Sequence, residues 1–245
     1  MSGPAPWPRA VLTQVRMEGR LTARRGENLL AMIGVPVAVL LFLGTFGSAR
    51  GAIGMALPGT LAIAILASGL VNLGIATAYE RGYGVLKRLG GSPLGADGLV
   101  AAKLVMVIAI ALAQVAGLLV VAWLVLGWRP DADVSAVGVL VATVVGAAAF
   151  AGLGLAIAGT VRPEAALVLA NVLFLLALGL SGTLVPFADL PAPVATVVRL
   201  LPVGALADIF AAALGDGSSV VPPLAILAAW AVAANLVAAR TFRWD

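Results

Sequence analysis

The chain has 245 residues, of which 62% are hydrophobic and only 11% are charged. Its mean hydropathy of +1.12 is far above that of a soluble domain, which must present a polar surface to water, so composition places the chain in a membrane. Cysteine and histidine are absent, which excludes disulfides, thiolate and imidazole metal ligands, and the commonest side chains of nucleophilic and acid/base catalysis.

Residues 7–25, ahead of the first long apolar run, predict an amphipathic helix. Apolar side chains recur every fourth residue at Trp7, Val11 and Val15. Arginines lie on nearly the opposite side of the same helical wheel: Arg9, Arg16 and Arg20. Such a helix is expected to lie in the cytoplasmic membrane interface, with its apolar side against the acyl chains and its arginines toward the headgroups. Glu18 interrupts the apolar face, so a frayed basic leader stays open as the alternative.

Six long apolar runs follow, and each can form a helix across a hydrocarbon core, which takes about 20 residues. They cover residues 29–46, 53–78, 99–126, 134–161, 165–185 and 224–239. The runs are continuously apolar and do not alternate in polarity, which favours helices over barrel strands. The predicted fold class is an all-α integral membrane protein with six transmembrane helices. Lys103, one turn inside the third run, is expected to snorkel toward the near end of its helix.

The basic residues predict the orientation of these spans. With six spans, both termini lie on one side, and twelve of the fifteen Lys and Arg residues flank that side, while Arg50, Arg129 and Arg199 lie on the other. By the positive-inside rule, both termini are cytoplasmic. The sequence pI of about 10.3 therefore reflects topology and anionic lipid headgroups, because the basic residues do not form the single groove or helix face that binds nucleic acid.

Residues 79–94, between the second and third runs, read YERGYGVLKRLGGSPL. Val85, Leu86 and Leu89 stand at helical spacing on one face, while Lys87 and Arg88 point elsewhere, so a short amphipathic helix is predicted here. A cationic, partly apolar knob of this kind fits a groove on a soluble partner. A basic anchor that only fixes topology is the alternative that the residues alone leave open.

Residues 181–214, ahead of the sixth run, form a second unusual connection. The segment is too apolar for an ordinary loop, and four prolines break it too often for a span: Pro186, Pro191, Pro193 and Pro202. We expect two short helices that dip into or lie on the outer leaflet.

Polar residues within the spans are few. Asn72, Gln114 and Asn171 are candidates for lining a substrate route, but such groups most often form interhelical hydrogen bonds worth about 0.6 kcal/mol each. The runs hold no charged group at mid-membrane, which disfavours an ion-coupled carrier. They also lack the paired acids and bases of an intramembrane hydrolase, so we expect no catalytic residue and no metal site.

The loop and the plan of the chain together resemble a known family. Glu80, a basic residue, Gly84, the run from 86 to 89, and then Ser92, Pro93 and Leu94 occur in an order that is similar to the loop between spans 2 and 3 of type-2 ATP-binding cassette permeases. In that family this loop is the coupling helix that meets an ATPase subunit. Family members usually have threonine where this chain has Val85, so a hydroxyl contact at that point is in doubt.

The resemblance implies a single permease domain over residues 1–245, with an interfacial helix at 7–25, a coupling loop at 79–94 and a re-entrant outer segment at 181–214. It implies an ATPase-coupling set of seven residues: Glu80, Arg81, Val85, Leu86, Lys87, Arg88 and Leu89. In this set we expect Glu80, Lys87 and Arg88 to make polar contacts with the ATPase, and Val85, Leu86 and Leu89 to form the apolar seat.

The resemblance also implies a function and partners. The chain would be the membrane subunit of an ATP-driven exporter in a bacterial cytoplasmic membrane, moving an amphipathic or hydrophobic substrate, drug-like or lipid-like. No G-x-x-x-x-G-K-[ST] phosphate loop occurs in the sequence, so ATP and magnesium would be bound by two copies of a separate ATPase and no cofactor by this chain. A second permease copy or paralogue would complete the pathway. A secondary carrier or a structural membrane protein is the alternative.

Overall fold

The structure, a computed structural model, describes residues 6–24, 26–46, 52–90, 95–130, 133–185 and 187–242. Every regular element among these residues is a helix, so the predicted all-α class is confirmed. The first half contains α1 (Trp7–Arg24), α2 (Gly26–Phe46), α3 (Ala52–Leu66), a π-helical segment (Ala67–Leu73), α4 (Gly74–Gly82), α5 (Val85–Gly90) and α6 (Gly95–Leu124). The second half contains α7 (Ala136–Thr160), α8 (Pro163–Leu180), a 3₁₀ turn (Phe187–Asp189), α9 (Ala192–Leu200), α10 (Pro202–Ala213) and α11 (Val221–Thr241).

Five long apolar helices match five of the six predicted spans. They run over Ile53–Gly82, Asp97–Leu124, Ala136–Thr160, Pro163–Leu180 and Val221–Thr241. The predicted first span falls on α2, which is apolar over Ile33–Thr45. The fifth span ends at Leu180, five residues before the predicted boundary, because the chain bends at 181–185.

Residues 181–214 contain two short helices, α9 and α10, as predicted. The axes of α9 and α10 differ by 92° at the break between them. Helix α10 is almost wholly buried, whereas Val198 is the buried residue of α9. Arg199 and Asp208 form an ion pair of 3.6 Å across the bend, and the indole nitrogen of Trp230 on α11 donates to the carbonyl oxygen of Leu200 at 2.9 Å. The ion pair joins the two arms of the bend, and the hydrogen bond from Trp230 holds the bent pair against α11.

Helix α7 is the centre of the fold, packing against α11, α10, α6, α4 and the π segment. Small residues allow this close approach: a Cβ atom added at Gly154 would lie 2.5 Å from the carbonyl oxygen of Gly69 in the π segment, and one at Gly152 would lie 2.7 Å from the amide nitrogen of Asn235 on α11. The same amide nitrogen donates to the carbonyl oxygen of Ala148 at 3.0 Å. Packing of small side chains and a few polar contacts hold membrane helices together in this way.

The π segment interrupts the second span at its middle. It brings the buried hydroxyl of Ser68 to the side-chain oxygen of Gln114 on α6, to which it donates a hydrogen bond. It also lays the backbone of Gly69 against Phe150 and Ala151 of α7. Single π-helical turns inside α-helices occur frequently at functional sites, and this one lies between the N-terminal half of the span and the C-terminal end that carries the predicted coupling residues.

Candidate functional site

The predicted coupling loop forms a tight turn followed by a short helix. Helix α4 ends at Gly82, and Gly84 adopts the left-handed conformation, with φ of +70°. Its backbone N–H donates to the carbonyl oxygen of Arg81 at 2.9 Å, and that of Tyr83 donates to Tyr79 at the same distance. Glycine adopts this conformation without strain, which is why it commonly ends helices. The six-residue α5 begins at the next residue, Val85, where the sequence predicted a short helix.

The side chains of this turn and helix divide into an exposed and a buried group. Tyr83 is 72% exposed and Val85 37% exposed, and Lys87 is also exposed. Leu86 is only 1% exposed and therefore packs inside the chain. We call Tyr83, Val85 and Lys87 the docking face. That Leu86 belongs to an apolar seat for the ATPase stays a prediction, and in this chain its side chain packs α5 against its own protein.

Two further predicted coupling residues, Arg88 and Leu89, lie on α5. Their side chains fall outside the part of the chain that the structure describes, as do residues 91–94. Sequence reasoning missed Tyr83, whose ring centroid lies 6.1 Å from that of Tyr79. Its position in a charged, glycine-rich turn could have indicated an interface residue, because tyrosine is enriched at protein interfaces.

Glu80 forms an ion pair within the chain. Its Oε2 lies 2.7 Å from Nζ of Lys103 on α6, and Oε1 of Glu18 on α1 lies 3.7 Å from the same nitrogen. The side chain of Lys103 is 5% exposed, against 18% for Glu18 and 36% for Glu80. The amide nitrogen of Gln14 also donates to Oε1 of Glu18, at 3.2 Å. We call Glu18, Glu80 and Lys103 the ion cluster.

The ion cluster gives Lys103 its partners and explains an irregularity. The ammonium group of Lys103 is enclosed between two carboxylates, which offset the cost of its burial, and snorkelling toward the near end of its helix stays a prediction. Glu18 interrupts the apolar face of α1 because it faces this lysine. Charge pairing between residues so far apart in sequence requires the packing of α1 and α4 on α6, which no local pattern shows.

Arg81 is also engaged within the chain. Its guanidinium group donates to the carbonyl oxygen of Gly159 at 2.6 Å and to that of Val161. These carbonyls belong to the C-terminal end of α7, where the last groups lack partners in the helix and the dipole favours a cation. One residue further on, a Cβ atom added at Gly82 would lie 2.8 Å from Cγ of Pro163, in the first turn of α8. The end of α4 therefore touches both α7 and α8.

These contacts make the end of α4 a junction. The ion cluster joins it to α1 and α6, Arg81 joins it to α7, and Gly82 packs against the start of α8. The docking face projects from the same end through α5. The docking face is therefore connected through the end of α4 to several spans at once.

The three candidates for a substrate route lie on three different elements. Gln114 is buried on α6 and accepts a hydrogen bond from Ser68. This is the interhelical bonding that polar residues within spans most often form. Asn171 is exposed on α8, and its amide nitrogen donates to Leu167 of the same helix at 2.8 Å. Asn72 is half-buried in the π segment. Of the three, Asn171 has the position most open to a molecule outside the chain.

A groove of about 220 Å³ lies between the π segment, α7, α8 and the bend that joins α9 to α10. Its lining residues are all apolar and include Leu70, Phe150, Leu176, Leu180 and Pro202. The groove is built from residues of five separate elements, including Leu66 at the end of α3, so no local sequence pattern could predict it.

Comparison with protein families agrees with this architecture. A sequence profile of the family described as ABC-2 type transporter matches residues 10–214. The match begins within α1 and continues past the end of α10, so it includes the ion cluster, the docking face and the bent pair of α9 and α10. The comparison with curated proteins returned no match. The chain belongs to the ABC-2 type transporter family and is a multi-pass permease subunit of an ABC transporter.

Proposed function

We propose that this permease works in an ATP-driven exporter whose ATPase is a separate chain docked on α5 and the preceding turn. The observation that carries the proposal is the junction at the end of α4, where an exposed docking face is tied to α1, α6, α7 and α8. Family membership supports an ATPase partner, and the sequence has no phosphate loop of its own. ATP and magnesium would thus be bound by the partner.

The docking face has the composition of a surface that enters a groove. Tyr83 supplies a large aromatic ring, Val85 a smaller apolar contact and Lys87 a charge. Aromatic residues dominate the energetics of protein interfaces when a pocket encloses them. Glu80 is partly exposed, so it can accept a hydrogen bond from the ATPase while it pairs with Lys103. Arg88 and Leu89 stay in the proposed contact set from their sequence positions.

The assembly we propose has two permeases and two ATPases. One chain with six spans provides one side of a pathway, and a second copy or a paralogue provides the other. The coupling segment would face the cytoplasm, together with both termini, in a bacterial cytoplasmic membrane. The contact between Glu18 and Lys103 supports this arrangement, because it places the arginine-rich α1 at the same end of the molecule as the docking face.

The mechanism follows from the junction. Closure of the ATPase pair around ATP would push on α5, and Leu86 would pass the displacement to the spans against which it packs. Arg81 would carry it into α7, and the ion cluster into α6 and α1. Rigid-body movement of packed helices is a common way to change which side of a transporter is open.

The substrate we propose is amphipathic or hydrophobic, drug-like or lipid-like. The apolar groove beside the bent outer pair supports this class, because it offers contact area without fixed charges. Asn171 is the best placed of the three polar candidates to meet a substrate, since it is exposed on α8. Asn72 stays a candidate, whereas the buried bond between Gln114 and Ser68 favours a packing role for Gln114.

The test is co-purification from native membranes in mild detergent, with mass spectrometry of the bound chains. The parent is expected to retain an ATPase that carries a phosphate loop, and the Tyr83→Asp variant is expected to lose it. Val137→Asp is the matched control, because Val137 is 70% exposed in the first turn of α7, at the opposite end of that helix from Arg81. If the parent carries no ATPase under conditions that preserve such complexes, a secondary carrier or a structural role becomes the better explanation.

A further inference from the structure

The environment of Lys103 is unusual for a transmembrane helix. Helix α6 is strongly apolar over Asp97–Leu124, yet one residue near its start is a lysine whose side chain is 5% exposed. A buried ammonium group is costly unless opposite charges compensate it. The compensation comes from two different elements, Glu80 of α4 and Glu18 of α1.

The two carboxylates are not equivalent. Glu80 lies at 2.7 Å from the ammonium nitrogen and is the more exposed of the two, while Glu18 lies at 3.7 Å and has a second donor in Gln14. Helix α1 also packs along α6, for example where Gly19 approaches Met106, so that an added Cβ atom would lie 3.5 Å from Cε. The lysine is thus shared between the N-terminal helix and the base of the coupling segment.

We propose that Lys103 is a positioning residue that ties α1 to the coupling segment, so that α1 moves with α4 when an ATPase pushes on the docking face. The proposal rests on the proposed function for the origin of the push, but the tie itself belongs to the permease alone. A positive charge from the ATPase that approaches Glu80 would compete for its carboxylate and release the lysine toward Glu18. Helix α1 would therefore move in response to the ATPase, although it lies outside the docking face.

The first experiment measures the tie without an ATPase. The chain has no cysteine, so Met17→Cys on α1 and Tyr83→Cys beside α4 can carry two spin labels in the full-length permease in nanodiscs. Met17 and Tyr83 are exposed and lie outside the ion cluster. The parent pair is expected to give one narrow distance distribution, which Lys103→Met broadens and Lys103→Arg restores. Arg240→Met, at an exposed arginine in the last turn of α11, is the matched control and is expected to keep the narrow distribution.

A milder variant covers the possibility that Lys103→Met does not fold. Glu18→Gln removes the pair with α1 and leaves the closer pair with Glu80, so the same broadening is expected from a change on a peripheral helix. A narrow distribution in both Lys103→Met and Glu18→Gln would overturn the proposal.

The second experiment separates this proposal from the proposed function. ATPase co-purification is expected to persist in Glu18→Gln, because Glu18 lies outside the docking face. If the parent binds no ATPase, the exporter function fails while the distance measurement still decides whether Lys103 ties α1 to α4. If the parent binds an ATPase but the distances do not change in the variants, the tie fails and the exporter function stands.

Discussion

The guanidinium group of Arg81 closes the C-terminal end of α7 by donating to the carbonyl oxygens of Gly159 and Val161. The same end of α7 is crowded by the C-terminal segment, since a Cβ atom added at Gly159 would lie 2.6 Å from Cδ2 of Phe242. The C-terminal ends of α4, α7 and α11 therefore meet at one place.

Replacement of Arg81 by lysine is expected to lower stability. A lysine cannot hold two carbonyls with one planar fork, and a hydrogen bond to a charged group is worth about 1.5–3 kcal/mol, so a loss of about that size is expected. The thermal midpoint of the purified permease, followed by size-exclusion chromatography after heating, measures it. Arg162→Lys, at an exposed arginine that caps α8, serves as the control. An unchanged midpoint for Arg81→Lys would show that the cap contributes little.

Variants of Leu86 and Val85 are expected to distinguish the anchoring of α5 within the permease from the docking of the ATPase on it. Truncation of a buried leucine to alanine typically costs about 2–5 kcal/mol, so Leu86→Ala is expected to loosen α5 and raise amide hydrogen exchange over Val85–Gly90. Val85→Ala is expected to leave exchange unchanged but weaken ATPase binding, because Val85 lies on the docking face. Leu86→Asp is expected to lower transport while membrane insertion persists. If Leu86→Ala weakens ATPase binding without any rise in exchange, Leu86 contacts the ATPase directly.

Gly154 is expected to tolerate no side chain. A Cβ atom there would lie 2.5 Å from the carbonyl oxygen of Gly69, and overpacking of this kind costs about 1–3 kcal/mol. Gly117→Ala on α6 is the matched control, because nothing lies within 4 Å of its added Cβ atom and alanine favours the helix by up to about 1 kcal/mol. Thermal midpoints of the two variants should therefore move in opposite directions. Equal midpoints would mean that α7 can shift away from the π segment at no cost.

The bond between Ser68 and Gln114 is expected to be structural. In a double-mutant cycle, Ser68→Ala and Gln114→Leu should show a coupling free energy of about 0.6 kcal/mol, the average for hydrogen bonds between membrane helices. Stimulation of ATPase activity by hydrophobic compounds in the reconstituted complex should be the same in Gln114→Leu as in the parent. A selective loss of stimulation by some compounds would place Gln114 on the substrate route after all, with Asn171→Ala as the comparison.

The spans could be read from the sequence because membrane thickness imposes a length and a polarity on each helix by itself. The break between α9 and α10 could also be predicted from the local sequence, because prolines interrupt the apolar segment on both sides of it. Leu86 was harder to place. Helical spacing puts it near Val85, but which of these neighbours faces inward depends on how α5 packs against α4 and α6, and no spacing within α5 contains that information.

Long-range pairs escaped prediction for a different reason. The partners in the ion cluster are far apart in sequence: Lys103 lies 23 residues after Glu80 and 85 residues after Glu18. Sequence periodicity carries no geometry over such distances. Glu18 was visible as an irregularity in an apolar face and Lys103 as a charge inside a span. Each was an unexplained polar group, and pairing such groups across elements would have found the cluster.

The π segment determines how the two halves of the second span are rotated relative to each other about the helix axis. Each residue turns an α-helix by about 100°, and a π-helical turn accommodates one additional residue. Deleting one residue within Ala67–Leu73 would therefore rotate the C-terminal end of the span by roughly that angle relative to its N-terminal half, and carry Glu80 and Arg81 away from Lys103 and Gly159. The shortened helix would still cross a bilayer. Hydrophobic length fixes where this span sits in the membrane, and a single wide turn at its middle fixes the direction in which its coupling residues point.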